Sequence, residues 1–309
     1  MKIACAYHRI DLDGWMSAAV VKYWFENYVS MKSDAVHTID FIGFNYGDVE
    51  PDLSDYDEIM MCDISLPAMT MINMDDRLVW IDHHISAIND VDRAIENNKN
   101  LGVHSLKGLR DTKFAACELT WKFLFPEKAM PEIVRLLGRY DCFGHKNTSE
   151  ERSVFEFQYG ARGGITNYED AYAYLRMSMD HEEETISVIM ENGVSIYKYL
   201  CTEAKQTYKD GFDVTLVEPN VEDVSAKRRF ICFNRECFNP INFELDYHGD
   251  GYDGAMCFHY LKGKWSVSLY NDNSKVDVSA IAKSYKGGGH RGAAGFVIDD
   301  INEILKTGK

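Results

Sequence analysis

Four short stretches in the first half of the chain carry side chains that bind divalent cations: His8 with Asp11 and Asp13, then Asp63, then Asp82-His83-His84, then Asp141. Three of them follow apolar runs of strand character: residues 2–8, Ile59-Met60-Met61-Cys62 and Leu78-Val79-Trp80-Ile81. Asp141 follows an apolar helical stretch, in Gly138-Arg139-Tyr140-Asp141. In open α/β sheets ligands bind outside the carboxyl ends of the strands, so these groups are placed to meet at one edge. Carboxylates crowded there raise one another's pKa, and two divalent cations would remove that penalty. Mixed histidine and aspartate donors suit Mn²⁺, Fe²⁺ or Co²⁺, whereas all-oxygen sites suit Mg²⁺ and thiolate sites suit Zn²⁺. Each stretch alone has a plainer reading: Asp13-Gly14 as the cap of the next helix, Asp63 as a loop residue near a helix start, Asp-His-His as coincidence. All four, however, arrive at the ends of expected elements, which separate coincidences would not produce.

The elements that must position them alternate strand and helix. A strand over residues 2–8 precedes a helix from Gly14 to about Val29. Val36–Phe44 is a second strand, leading through Asn45-Tyr46-Gly47-Asp48 to a turn at Pro51, and Ser65-Leu66-Pro67 opens another helix with proline in its tolerated first turn. Helices near 112–125 and 131–143 follow. This alternation predicts an α/β fold whose N-terminal sheet is mostly parallel and covered by helices. From Asp180 to Tyr208 the pattern is one long helix, read as a connector. Beyond it, Val214–Val217, Phe230–Phe233, Ala255–Leu261 and Trp265–Leu269 are short strands, with Lys262-Gly263-Lys264 as a hairpin turn. A helix at Val278–Tyr285, a glycine run and a last strand at Gly295–Ile298 complete a smaller α/β domain with a mixed sheet. The expected domains are 1–180, a connector at 181–210, and 211–309.

The 309 residues are 46% hydrophobic and 13% aromatic, enough for two packed domains. No apolar run approaches the roughly 18–20 residues that span a bilayer, and the N-terminus reads as a strand rather than a signal peptide. Eight cysteines without a C-x-x-C pair read as reduced, mostly buried thiols, and the expected compartment is cytoplasmic. The net charge of −16 argues against wrapping long duplex DNA. It is uneven: −2 over residues 211–309 against −14 over residues 1–210.

His8-Arg9-Ile10-Asp11-Leu12-Asp13-Gly14 resembles the first motif of the DHH phosphoesterase family, Cys62-Asp63 the second, Asp82-His83-His84 the one that names the family, and Asp141 the fourth. Gly287-Gly288-Gly289-His290-Arg291, running on to Gly295, looks like the signature of the DHH-associated C-terminal domain. The resemblance spans residues 8–296. It implies a pair of Mn²⁺ ions, with Mg²⁺ or Co²⁺ as substitutes: His8, Asp11 and Asp63 on one, Asp13, Asp63, His83 and Asp141 on the other. Asp82 would orient a ligand histidine, and His84 would face the scissile phosphate as electrostatic stabiliser or leaving-group acid. Gly287, Gly288, Gly289, His290 and Arg291 would hold substrate phosphate, the glycine amides aided by the N-terminus of a following helix. The implied activity is hydrolysis of short oligonucleotides or dinucleotides by a metal-activated water. An exopolyphosphatase or 3′-phosphoadenosine-5′-phosphate-type phosphatase stays open as an alternative, as does a non-catalytic nucleic-acid-binding module. The expected partner is a short oligonucleotide or nucleotide, not long duplex DNA or a membrane, and a homodimer is compatible with this.

Two positions depart from the family pattern. Only Arg9-Ile10 separate His8 from Asp11, where many relatives have three residues. Ser268-Leu269-Tyr270-Asn271 stands where many have Ser-x-Arg, so either another basic residue such as Arg162, Arg228 or Arg229 substitutes for the missing arginine or the substrate differs. Trp15, Phe44 and Tyr46 lie near strand ends where a base could stack, although core packing is the expected role. Lys227-Arg228-Arg229 reads as a solvated guard of a sheet edge.

Overall fold

The computed structural model describes residues 1–30, 36–219, 226–236, 238–272 and 275–305. They form two compact units, Met1–Tyr197 and Lys198–Lys309. The first contains β1 (Lys2–His8), α1 (Leu12–Trp24), β2 (Thr38–Phe44), β3 (Glu58–Cys62), α2 (Ala68–Asn73), β4 (Leu78–Ile81), α3 (Ile85–Asn97), α4 (Ala116–Leu124), α5 (Glu132–Asp141), α6 (Glu151–Arg162) and α7 (Tyr168–Asp180). The long α8 (Glu182–Lys209) follows, and the division between the units falls within it.

The strands of the first unit are all parallel, in the order β2-β1-β3-β4. Their side chains alternate between two buried faces. Ile3, Cys5, Tyr7, Met60, Cys62, Val79 and Ile81 pack with Ala18 of α1 and Leu119 of α4. Ala4, Ala6, Ile59, Met61, Leu78 and Trp80 pack with Met71 of α2 and Val91 of α3. The register pairs Tyr7 with Cys62 and Cys62 with Ile81. His8, Asp63 and Asp82, each one residue further on, therefore emerge side by side at the carboxyl edge. His8 also pairs with Phe44, which brings Asn45 to the same edge from β2.

The expected α/β architecture is present, with three helices in the described part of the first unit that the sequence pattern did not announce. In α3 only Val91 is buried, so its polar composition conceals the helix. The segment of α6 and α7 is interrupted by Gly163-Gly164, which blurs its periodicity. A third helical core, with Met16, Trp121, Ile133, Phe157 and Leu175, ties α1 to α4, α5, α6 and α7.

The second unit holds β5 (Phe212–Glu218), β6 (Ala226–Asn234), β7 (Gly254–Leu261), β8 (Lys264–Tyr270), α9 (Val278–Ser284), β9 (Gly288–Gly289), β10 (Ala293–Ile298) and α10 (Asn302–Leu305). The sheet order is β5-β6-β7-β8-β10-β9, antiparallel except between β6 and β7. Lys262 (φ 51°) and Gly263 (φ 87°) form the expected hairpin between β7 and β8. Lys227-Arg228-Arg229 do not precede a strand but open β6, an inner strand of the sheet, where they pair with Val217, Leu216 and Thr215 of β5; the register with β7 begins at Phe230. Arg228 meets Glu218 at 2.7 Å and Arg229 meets Asp213 at 2.7 Å, so salt bridges to β5 explain the basic run. Among the described residues no helix is long and apolar enough to cross a membrane.

Candidate metal centre

The turn after β1 starts the cluster. Asp11 is the N-cap of α1, its carboxylate accepting the Gly14 N–H at 2.9 Å. Asp13, the other capping candidate, lies inside the helix and points elsewhere. A Cβ at Gly14 would stand 2.0 Å from the His8 carbonyl oxygen, so only glycine lets α1 start this close to the strand end. The second Oδ of Asp11 lies 2.7 Å from His8 Nδ1. The opposite ring nitrogen of His8, Nε2, is 3.0 Å from Asn45 Oδ1. That oxygen also accepts the Tyr46 N–H at 2.9 Å, which identifies it as the carbonyl end of the amide. Nε2 therefore carries a proton, and Nδ1 is the nitrogen that faces Asp11 and Asp63.

Asp63 follows β3 with φ 61°, left-handed backbone that aspartate tolerates better than most residues. Its N–H is fixed by the Ile81 carbonyl at 3.0 Å. It is 1% exposed, and its two oxygens face different histidines: Oδ2 is 3.5 Å from His8 Nδ1 and Oδ1 is 3.4 Å from His83 Nε2. His83 Nε2 also faces Asp141 at 3.2 Å and Asp13 at 3.7 Å. Asp13 is anchored from a distant segment, accepting from Ala116 N at 2.8 Å and Cys117 N at 2.7 Å in the first turn of α4. The N-cap residue Ala115 has no capping side chain, and the buried amides of that first turn stabilise an anion. Glu118 Oε2 takes the Ala115 N–H at 3.1 Å. Asp141 is the last residue of α5.

Asp82 is completely buried and plays a different part. Its Oδ1 accepts from the backbone N–H groups of His83 (2.7 Å) and His84 (3.1 Å) and from His84 Nδ1 (2.7 Å), while Oδ2 accepts from Trp80 Nε1 at 3.2 Å. The expectation that Asp82 orients a ligand histidine is thus corrected: it holds the ring of His84, and reaches His83 only at the main chain. One carboxylate oxygen placed over two successive amides has its third partner within reach on the same turn.

The electrostatics show a cluster in need of positive charge. Burial would lower the pKa of His8, but contact with Asp11 and Asp63 outweighs it and raises it to about 11. His83 is raised to about 10, the carboxylates of Asp63, Asp141 and Asp13 overcoming its burial. Burial and the Asp63 charge push Asp13 up to about 7, and burial with the Asp13 charge does the same to Asp141. Asp63 is raised, first by burial and then by Asp11. Asp82 is lowered, its burial outweighed by His84.

The residues fit divalent cations. His8 Nδ1, Asp63 Oδ1 and His83 Nε2 are buried, make no well-formed hydrogen bond and face chiefly one another and the neighbouring carboxylates, an arrangement that a cation or a shared proton would satisfy. Donor atoms of His8, Asp11 and Asp63 lie within 4.8 Å of one another, and so do those of Asp13, His83 and Asp141. A further such group is Asp63, Asp82, His83 and His84. All six residues expected as ligands therefore converge, with Asp63 between the two groups.

Sequence reasoning missed two contributors, Asn45 and the amides of Ala116 and Cys117. Asn45 had a signal in its place directly after a sheet strand. The α4 amides had a subtler one, since Ala115 opens a helix without a capping side chain.

The glycine run of the second unit differs from expectation. No helix starts directly after it: α9 precedes it, Gly288–Gly289 pair with β10, and β10 comes next. His290 and Arg291 lie in the hairpin turn, closed by His290 N to the Ala293 carbonyl at 2.7 Å, and both are exposed. A Cβ at Gly287 would meet the Gly295 carbonyl oxygen at 2.1 Å, so the run serves tight strand packing there. Gly288 has open space instead, and Gly289 is held at φ 135°. Arg291 Nη1 lies 3.7 Å from Asp277, the N-cap of α9. Of the substitutes for the missing arginine, Arg228 and Arg229 are held in their salt bridges, and Arg162 lies over the rings of Tyr140 and Tyr159 at 5.6 and 5.5 Å.

No protein-family model matches the chain. It is 24% identical over 315 residues to an uncharacterized protein of Acanthamoeba polyphaga mimivirus, an alignment covering 97% of this chain and 68% of that protein. Among solved structures, the pGpG-specific phosphodiesterase PggH from Vibrio cholerae matches with a TM-score of 0.50 at 14% identity, over 98% of this chain and 94% of that one. An exopolyphosphatase-related protein from Bacteroides fragilis matches with a TM-score of 0.49 at 12% identity, over 96% and 86%. The likeness to the phosphodiesterase is one of fold: this chain is built on an architecture that a phosphodiesterase uses.

Proposed function

We propose that the chain is a DHH-type phosphoesterase that hydrolyses phosphodiester bonds of short oligonucleotides or dinucleotides with two divalent cations, Mn²⁺ by preference. The observation that carries this reading is Asp63, whose two buried oxygens each face a different histidine with no hydrogen-bond donor to satisfy Oδ1. A carboxylate so placed joins two cation sites, with His8 and Asp11 on one side and Asp13, His83 and Asp141 on the other. When bound, a cation pair supplies an activated water and neutralises charge developing on the phosphate. The mixed nitrogen and oxygen donors favour Mn²⁺ over Mg²⁺.

The protein's own groups do the rest. Asp82 fixes His84 through Nδ1, and this pairing raises the His84 pKa despite burial. The imidazolium form is thereby favoured, and Nε2 is the atom that delivers a proton to a phosphate oxygen or to the leaving group. Asn45 plays the matching part for His8, setting its tautomer. His290 and Arg291, with the amides of Gly287, Gly288 and Gly289, are the candidate phosphate contacts of the second unit. The fold shared with a phosphodiesterase named for a dinucleotide substrate supports the choice of a short nucleotide chain over polyphosphate.

The test is a side-by-side assay of a labelled dinucleotide, 3′-phosphoadenosine 5′-phosphate and polyphosphate with Mn²⁺, beside calorimetry of Mn²⁺ binding. Two ions per chain and release of mononucleotides from the dinucleotide are expected. Orthophosphate from polyphosphate alone would overturn the substrate, and absence of Mn²⁺ binding would overturn the mechanism.

A further inference from the structure

We infer that the cleft between the end of β2 and the loop after β3 is a nucleobase subsite, with Tyr46 as its stacking platform. The inference rests on the phosphoesterase reading and names the part of the substrate next to the reacting phosphate. The cleft has a volume of about 390 Å³ and is lined by residues 44–48, Glu50 and residues 65–67. Asn45, in its wall, is the residue bonded to His8. Ser65, in the opposite wall, lies two residues beyond Asp63. The Tyr46 ring centroid is 6.0 Å from that of His8, so the cleft begins where the cation cluster ends.

Tyr46 does not have the core role expected for it. It is 53% exposed, whereas Phe44, two residues earlier, is 7% exposed and belongs to the core. Trp15, the third aromatic of that group, packs against helical core and donates its indole N–H to the Arg9 carbonyl at 2.8 Å. Yet Tyr46 is held in place: its N–H is bonded to Asn45 Oδ1, and its hydroxyl lies 3.3 Å from Ser65 Oγ. An aromatic face fixed at both ends and left to solvent beside a buried reactive cluster loses little freedom when a flat ring stacks on it.

The charge of the cleft selects the ligand. Asp48 and Glu50 line it, and Asp48 is already engaged by Arg9 at 3.1 Å. An acidic rim opposes a second phosphate. Leu66 and Pro67 with the tyrosine face provide apolar walls. A neutral heterocycle bearing N–H donors satisfies both demands, and polyphosphate satisfies neither.

The experiment compares binding of a nucleoside 5′-monophosphate and of ribose 5-phosphate to the full-length, Mn²⁺-loaded protein and to its Tyr46→Ala and Tyr46→Phe variants. The expected result is nucleotide binding roughly 5- to 150-fold tighter than the sugar phosphate, the gain of one base–aromatic stack. Tyr46→Ala should erase that difference and leave ribose 5-phosphate affinity and Mn²⁺ stoichiometry unchanged, while Tyr46→Phe should retain most of it. Equal affinity for both ligands in the unaltered protein would overturn the subsite while leaving the phosphoesterase reading intact. A difference that survives Tyr46→Ala would do the same. Failure of both ligands to bind a protein that has taken up Mn²⁺ would overturn the functional reading and the subsite with it.

Discussion

The two sheets of this molecule treat charged side chains in opposite ways. In the parallel sheet of the first unit every strand ends at the same edge, and the register aligns His8, Asp63 and Asp82 in one row. Their neighbours bury them, leaving a cluster whose histidines and carboxylates hold protons at unusual pH. In the mixed sheet of the second unit adjacent strands mostly run in opposite senses, so no such row arises. Its candidate groups, His290 and Arg291, sit instead on an exposed hairpin. Parallel topology can concentrate charge from distant segments at one point, where protons or bound cations would relieve it. A hairpin presents charge to solvent, where each group contributes little by itself.

Substitutions should expose this contrast. The largest effect is expected at Asp63: Asp63→Ala should weaken Mn²⁺ binding by more than about 100-fold, exceeding the losses typical of residues that only support ligands. Turnover should fall with it. Calorimetry beside an activity assay would show whether the two decline together, and intact binding of two ions by the variant would overturn the proposed role of Asp63 between two cations.

Asp82→Asn comes next. Asp82 holds the ring of His84 and meets His83 only at its backbone N–H, so kcat should drop by about 10- to 100-fold while two Mn²⁺ ions still bind. A loss of metal equal to that of Asp63→Ala would mean that Asp82 acts chiefly on the cluster itself.

Acidification is the third lever. Asp13 and Asp141, both pushed up to about 7, gain protons as the pH falls below that value, while His8 and His83 retain theirs up to about 11 and 10. Cations compete with all of these protons. Affinity for Mn²⁺ should therefore rise with pH, on the order of tenfold per unit for each proton displaced. Calorimetry in two buffers of different ionisation enthalpy would count the protons released, and a count of zero would contradict the crowded cluster.

The smallest effect is expected in the second unit. The Arg291 side chain is 59% exposed, so Arg291→Ala should raise KM only a few-fold. Mn²⁺ stoichiometry should stay at its original value. A change in metal binding would erase the division of labour between the two regions.

Much of this was legible before any coordinates. Asp63 and Asp82-His83-His84 each follow a short apolar run, and strands of that kind announce themselves by composition. The Lys262-Gly263 hairpin was equally plain, since few residues other than glycine enter that turn without cost. The basic run at Lys227–Arg229 misled because charge alone does not tell an edge strand from an inner one; its partners Glu218 and Asp213 lie on β5. The glycine run misled for a related reason. Glycine serves an anion-binding loop and a tight hairpin equally well, and only the packing of Gly287 against Gly295 decides between them.

By itself the sequence determined which side chains were available for metal chemistry and that strands would carry three of their four groups to one edge, because local composition sets secondary structure and secondary structure sets where a strand ends. Tertiary structure alone decided that Asp63 looks both ways, that Asp82 serves His84, that α4 amides hold Asp13 from 103 positions away, and that Tyr46 faces solvent. Those are matters of orientation and burial, which depend on what packs against a residue from elsewhere in the chain and leave no mark in its own neighbourhood.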